Sequence, residues 1–277
     1  MRYVRQFAVS LLLWTSVSAI ADVSKFTSLA GNPGLHSASA IVLNSSGGII
    51  YGKDVDTVRP IASITKLMTA IVVLDADLDL DEQITIDEAD KDQIRMTGSR
   101  LHVGATLTRR ELLLLALMSS ENRAAAALGR TYPGGTGNFV EKMNSKATSL
   151  GMNSSHFADP AGLDAANVST ASDLARMLKA AEEYPLITES TTTTEGEVRP
   201  FSHRGSLTYI NTNRLLKNEA WDIELSKTGY INEAGRCLVM QANIDGEEVS
   251  IVLLNSFGKL TPFGDSNRLR KWMLANS

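Results

Sequence analysis

Apolar residues recur with two different periods along this chain, and the change of period organises it. Near the start, "SASAIVLNSSGGIIYGKD" reads as two short strands with a polar break at residues 45–48, a hairpin pattern. A loop bearing Pro60 then gives way to the apolar, helix-compatible run "IASITKLMTA", residues 61–70, so a helix is expected to open at Ser63. From about Asp75 the character shifts to short loops and helical runs. "LTRRELLLLALMSSENRAAAALGR" holds one helix entered through Thr108 and Glu111 in capping-box spacing, a turn centred on Ser120, and an alanine-rich helix. "STASDLARMLKAAEEYP" repeats the cap spacing with Thr170 and Asp173, sets Leu174, Met177, Leu178 and Ala181 on one face, and is expected to close at Tyr184 and Pro185. The brief "TTTT" at 191–194 reads as a loop or strand edge, and no internal repeat is present.

Beyond residue 200 the strand period returns in "LSKTGYI", "RCLVMQANI" and "EEVSIVLLN", with "IDGEE" as a turn and "SNRLRKWMLANS" as a closing amphipathic helix. Strands at both ends with helices between them predict a sheet lobe from approximately residues 35–74 and 196–277, interrupted by a helical lobe at approximately 75–195. A cleft between two such lobes is a common place for a site.

The first residues change the picture of where the chain works. Arg2 and Arg5, an apolar stretch from about Phe7 to Trp14, and small residues up to Ala21 match a secretory signal over 1–21, with a cut expected between Ala21 and Asp22. The apolar stretch is short for a bilayer span of ~20 residues. The expectation is therefore a single catalytic domain at 22–277, in the periplasm and without stable membrane insertion. Losing the two arginines takes the formal charge from −4 to −6, a poor balance for a nucleic-acid partner. Cys237 lies in an apolar strand-like run and reads as core packing. His36, His102, His156 and His203 are scattered without metal-ligand spacing, so neither a metal nor another cofactor is expected.

Ser63 and Lys66 stand one helical turn apart, so a hydroxyl and an amine would share a face. Spacing alone carries little weight, because Ser256 and Lys259 in "SFGK" repeat it beside Gly258, where no helix would present them together. Two further elements add weight: "SEN" at residues 120–122 falls on a turn between helices, and "KTG" at 227–229 falls on a strand. The ordered set S-x-x-K, S-x-N, K-T-G is the signature of penicillin-binding proteins and serine β-lactamases. Singly, each residue has a plainer reading: Ser63 as a helix cap, Lys66 as a solvated helix residue, Ser120 and Asn122 as turn residues, Lys227 and Thr228 as sheet-edge polar groups.

Together with the runs "RPIASITKLMTAIVVLDA", "LLLLALMSSENRAAAAL", "NVSTASDLARML" and "LSKTGYINEAGRCLVM", the motifs make the chain resemble low-molecular-mass penicillin-binding proteins of the D-alanyl-D-alanine carboxypeptidase and endopeptidase family, over nearly all of its expected mature length. Its murein endopeptidases bear the greatest likeness. The resemblance implies a two-lobed α/β (α+β) penicillin-binding, β-lactamase-like transpeptidase fold, with an antiparallel sheet, flanking helices and an inserted helical lobe. It implies a serine peptidase acting on D-amino-acid stem and cross-link peptides of peptidoglycan, and covalent inhibition by β-lactams.

By the same resemblance Ser63 is the nucleophile. Lys66 accepts its proton, with a pKa depressed by burial and by Lys227, and Ser120 relays a proton to the leaving amine. Asn122 holds Lys66 and the substrate backbone. Lys227 and Thr228 bind a carboxylate, Gly229 leaves the strand edge open to an added peptide strand, and the N–H groups of Ser63 and Tyr230 form the oxyanion hole. The middle residue of the second motif is Glu121, and "ADPAGLDAAN" lacks the glutamate with which class A β-lactamases activate water, so slow release of a penicilloyl ester is expected. Only 48 residues follow Gly229, which counts against an appended β-rich domain and membrane tail and against the carboxypeptidase alternative. A β-lactamase and a catalytically silent wall-binding module are the remaining alternatives. The stretches "RMTGSRLHVG" and "TTTTEGEVRP" are expected to shape the cleft beyond the scissile bond.

Overall fold

The structure is a computed structural model that describes residues 25–27 and 29–277. The expected signal at 1–21 and its cut lie outside those residues. The first hairpin is β1 (Ser39–Asn44) and β2 (Ile49–Lys53), closed by a turn in which Asn44 Oδ1 accepts from Gly48 N at 2.7 Å. A two-residue strand β3 (Arg59–Pro60) leads into a 3-10 turn at Ala62–Ile64 and then α1 (Thr65–Asp75). Every residue of α1 from Thr65 through Val73 is buried, which explains why this run reads apolar on all sides: the helix is the axle of the molecule.

The ribbon β4 (Gln83–Thr85) and β5 (Thr106–Thr108) runs directly into α2 (Arg109–Met118), whose N-terminus carries the expected reciprocal box of Thr108 and Glu111. Helices α3 (Asn122–Arg130) and α4 (Gly135–Ser149) follow, then β6 (Val168–Ser169), which pairs with β3. Helix α5 (Ala171–Ala181) is capped by Thr170, which accepts from Asp173 N. It ends before the expected stop, and Pro185 opens a new helix, α6 (Pro185–Thr192), because a proline at the first helical position has no N–H to leave unpaired. Thr191 and Thr192 of the tetrathreonine are therefore helical, not loop or strand edge.

A second ribbon, β7 (Glu195–Val198) with β8 (Leu207–Ile210), precedes the long strands β9 (Asp222–Ile231), β10 (Gly235–Ile244) and β11 (Glu247–Ser256), and α7 (Thr261–Asn276) closes the chain. The main sheet has the order β2-β1-β11-β10-β9, antiparallel throughout, so β11 pairs with β1 across almost the whole sequence and β9 forms one edge. Both faces of β10 and β11 are covered. Ile251 and Leu253 meet Leu269 and Met273 of α7, while Val252 and Leu254 join the core shared with α1 and α5, as the two-residue strand period requires. That second core runs without a break from the sheet through α1 into α2, α3 and α4, so one hydrophobic interior holds the sheet and helices in fixed relation. No helix among the described residues is long and apolar enough to cross a membrane.

Candidate active site

Ser63 sits on the 3-10 turn just ahead of α1 instead of on the helix itself. The N-cap of α1 is Ile64, and no side chain caps it, so the capping role for Ser63 does not hold. The hydroxyl faces Lys66 Nζ at 2.9 Å. The turn is unusual: Ala62 has φ +49°, a conformation costly for a residue with a Cβ. It is pressed from two sides. A Cβ on Gly162 (φ +76°) would fall 2.0 Å from the Ala62 carbonyl oxygen, and one on Gly229 would fall 2.8 Å from the Ile61 oxygen and 3.2 Å from Ser63 N. Gly229 is buried, so the need for glycine there is close approach of β9 to the serine turn, a reason different from an open strand edge. Gly162→Ala is expected to cost about 1–3 kcal/mol through overpacking and a further ~1 kcal/mol through its left-handed backbone. Thermal unfolding should show a lowered Tm, and penicillin acylation of the surviving folded protein should slow because the Ser63 turn is displaced.

Lys66 is fully buried, which removes the solvated-helix reading. Its Nζ has three neighbours: Ser63 Oγ at 2.9 Å, Asn122 Oδ1 at 2.8 Å and the Ala161 carbonyl at 2.6 Å. The amide oxygen and the carbonyl can only accept, whereas the hydroxyl can donate or accept. A neutral amine is satisfied by donating twice and receiving the Ser63 proton in its lone pair; an ammonium is satisfied by donating three times. The two protonation states differ in the direction of one hydrogen bond.

The orientation of Asn122 is set from further out. Asp92 can only accept; Thr97 Oγ1 gives it its proton at 2.7 Å and so must accept from Asn122 Nδ2 at 3.1 Å, which turns the amide oxygen toward Lys66. Thr97 falls in the stretch expected to shape the cleft, but neither its bond to Asn122 nor Asp92 was legible in the sequence, since a loop residue reaching a helix start leaves no periodic trace. Ser120 lies on the turn between α2 and α3 with φ +62°, again a strained position for a non-glycine residue. Glu121 caps α3 by accepting from Arg123 N at 3.1 Å, and Asn122 is that helix's first residue.

From the sheet, Lys227 is 1% exposed and donates to Ser120 Oγ and the Thr228 carbonyl, both at 3.0 Å. Thr228 Oγ1 donates to Thr212 Oγ1 at 2.6 Å. Tyr230 is half exposed, its ring covered by the Arg236 guanidinium at 3.6 Å. All eight candidate residues thus gather where the Ser63 turn, the α2–α3 turn and strand β9 meet.

Burial pulls the Lys66 amine down to about 8, although Asp159, Glu121 and Asp92 favour its charged form. Lys227 is held well below the ordinary lysine range, first by burial and then by the charge of Lys66. Burial lowers Lys66 as the sequence expectation had it; the like-charge repulsion expected from Lys227 acts between the two amines and lowers Lys227, while carboxylates stand around Lys66. Burial also pushes the Cys237 thiol up to about 11, consistent with a packed and unreactive side chain.

Ser63 opens onto two clefts. One, of about 370 Å³, includes Ser120, Thr228, Arg214, Arg236 and Lys259; the other, of about 380 Å³, includes Arg95, Thr97, Leu163 and Asn232. Arg95 and Thr97 come from "RMTGSRLHVG" as expected, but no residue of "TTTTEGEVRP" lines either cleft: Thr191 is buried in α6, and the segment around Arg214 takes that place. Ser256 lines neither; it is buried against Ser37 Oγ at 2.7 Å.

A serine hydroxyl on a strained turn, an adjacent buried amine of lowered basicity and a strand edge across the cleft are the arrangement of a serine hydrolase on the penicillin-binding fold. The comparisons with known proteins agree. Residues 27–258 match the peptidase S11 family, D-alanyl-D-alanine carboxypeptidase, and the chain belongs to that family. It is 50% identical over 241 residues to a D-alanyl-D-alanine endopeptidase of Pseudomonas aeruginosa, covering 86% of this chain and 77% of the relative. To the D-alanyl-D-alanine endopeptidase of Escherichia coli K12 it is 44% identical over 270 residues, covering 96% and 87%. The crystal structure of the Streptomyces K15 DD-transpeptidase superposes with a TM-score of 0.81 at 30% identity, covering 89% of this chain and all of that one.

Proposed function

We propose that the protein is a serine DD-endopeptidase that hydrolyses D-alanyl to diaminopimelate cross-links of peptidoglycan in the periplasm, through an acyl-enzyme on Ser63. The observation that carries the chemistry is the buried Lys66 amine on the Ser63 hydroxyl, in a network that accommodates either protonation state. The bond preference is supported by 50% and 44% identity to relatives named endopeptidases, against 32% and 34% to carboxypeptidases of Bacillus subtilis and Streptomyces.

The substrate lies along β9 with its scissile carbonyl oxygen at the N–H groups of Ser63 and Tyr230. Its carboxylate, on the leaving-group side, sits at Thr228 and Lys227. That anion favours the charged form of Lys227, and the repulsion between the two amines then favours the neutral, proton-accepting form of Lys66. Ser63 Oγ attacks the carbonyl carbon as its proton passes to Lys66. The C–N bond then breaks, the departing amine takes a proton from Ser120 Oγ, and Lys227 restores it across their 3.0 Å hydrogen bond. Asn122 keeps Lys66 aligned and offers its second amide N–H to the substrate backbone. When the charge returns to Lys227, Lys66 can activate water against the ester.

A β-lactam offers the same carbonyl and carboxylate, so it acylates Ser63. Its ester persists for a physical reason: Asp159, the carboxylate of the loop beside Lys66, is committed to that loop, accepting from the N–H groups of Ala161, Gly162, Leu163 and Asp164 and from Asn167 Nδ2. Purified cross-linked dimer and uncross-linked pentapeptide, digested side by side, test the bond preference. The expected result is monomers released from the dimer at the higher kcat/KM; free D-alanine from the pentapeptide with intact dimer would establish the carboxypeptidase instead.

A further inference from the structure

The leaving-group cleft is lined by cations from three separate elements and by no carboxylate: Arg214 from a 3-10 turn, Arg236 from β10 and Lys259 from the loop between β11 and α7. In a chain of formal charge −4 that is a selective placement. Arg236 is spent in part on the Tyr230 ring. Arg214 and Lys259 make no ion pair among the described residues, and both are exposed. Nor is Arg214 on a loose loop. Its turn is capped by buried Asn213, which accepts from Leu215 N at 3.0 Å and donates to Ser226 Oγ at 3.0 Å, tying the turn to the strand that carries Lys227.

We propose that Arg214 and Lys259 form a second anion subsite, which recognises a further carboxylate on the leaving side of the substrate, beyond the one held at Thr228. This reading deepens the endopeptidase proposal and rests on it for its biological sense. Terminal D-alanine offers a single carboxylate and a methyl group. A diaminopimelate acceptor puts an aliphatic chain where that methyl would be, and the rest of its stem peptide carries additional carboxylates. A cleft whose fixed charges are all positive, beside low-dielectric walls, attracts such a leaving group before any bond is cut.

The test uses N-acylated L-Lys-D-Ala-D-X peptides, in which X is D-2-aminopimelate or its ω-amide, two leaving groups of nearly equal shape that differ by one charge. Release of X by the mature wild-type protein should show a higher kcat/KM for the dicarboxylate, and the ratio between the two should fall as NaCl is raised. Arg214→Gln and Lys259→Gln are each expected to reduce that ratio about three- to tenfold, with Arg214→Lys retaining part of it. Equal turnover of both peptides by the wild type, or a variant that slows both to the same extent, would overturn the subsite. The endopeptidase reading fails separately, if cross-linked dimer resists an enzyme that still prefers the aminopimelate peptide.

Discussion

Ser63→Ala should lower kcat on D-alanyl peptides by at least ~10⁴-fold, because removing the nucleophile of a unit that acts together removes nearly all that the unit contributes. Covalent labelling by benzylpenicillin should vanish with it. The fold should survive: Lys66 keeps its bonds to Asn122 and Ala161, and Ser63 supports no helix cap that the change could break. The natural control is the other serine three residues ahead of a lysine. Ser256→Ala should leave hydrolysis and labelling intact and cost about 1 kcal/mol of stability through the lost hydrogen bond to Ser37. Labelling lost in Ser256→Ala and kept in Ser63→Ala would reverse the assignment.

Lys66→Ala should reduce acylation by ~10²–10⁴-fold, the usual contribution of a positioned general base. The wild-type pH profile gives the more specific signature. With the amine held at about 8, the neutral form grows as pH rises, so kcat/KM should climb about tenfold per pH unit below neutrality and level off above about 8. The sign follows from the direction of the shift: lowering a lysine's pKa extends the range of its uncharged, proton-accepting form downward. Lys66→Ala should flatten that limb. A profile that keeps the same limb near pH 8 in the variant would show that another group, Lys227 foremost, is the base. Circular dichroism must accompany the comparison, because the variant leaves the Asn122 and Ala161 oxygens without their buried donor.

Much of this site was legible because each motif carries its own local physics. Thr108 and Glu111 box the start of α2, a turn residue at Ser120 separates two helices, and "KTG" falls in an alternating strand. What stayed hidden is what acts across long separations. Thr97 and Asp92 fix the amide of Asn122 from a loop with no period to betray them. Gly162 is required because it presses on the Ala62 carbonyl, a contact between segments about a hundred residues apart. Helix α4 had a usable signal in Phe139, Met143 and Ala147, four apart and all buried, but its glycines and polar residues masked it. Which lysine the carboxylates surround is decided only by the folded chain: Asp159, Glu121 and Asp92 stand around Lys66, and the repulsion between the amines lowers Lys227.

The most direct test of the acyl-enzyme is intact-protein mass spectrometry of the protein followed over time after adding benzylpenicillin, with peptide mapping of any adduct. One penicilloyl group that persists on the peptide containing Ser63 is the predicted result. An adduct on a different residue, an unmodified protein beside intact drug, or an unmodified protein beside consumed drug would contradict it; the last two would point to a silent binding module and to a β-lactamase respectively.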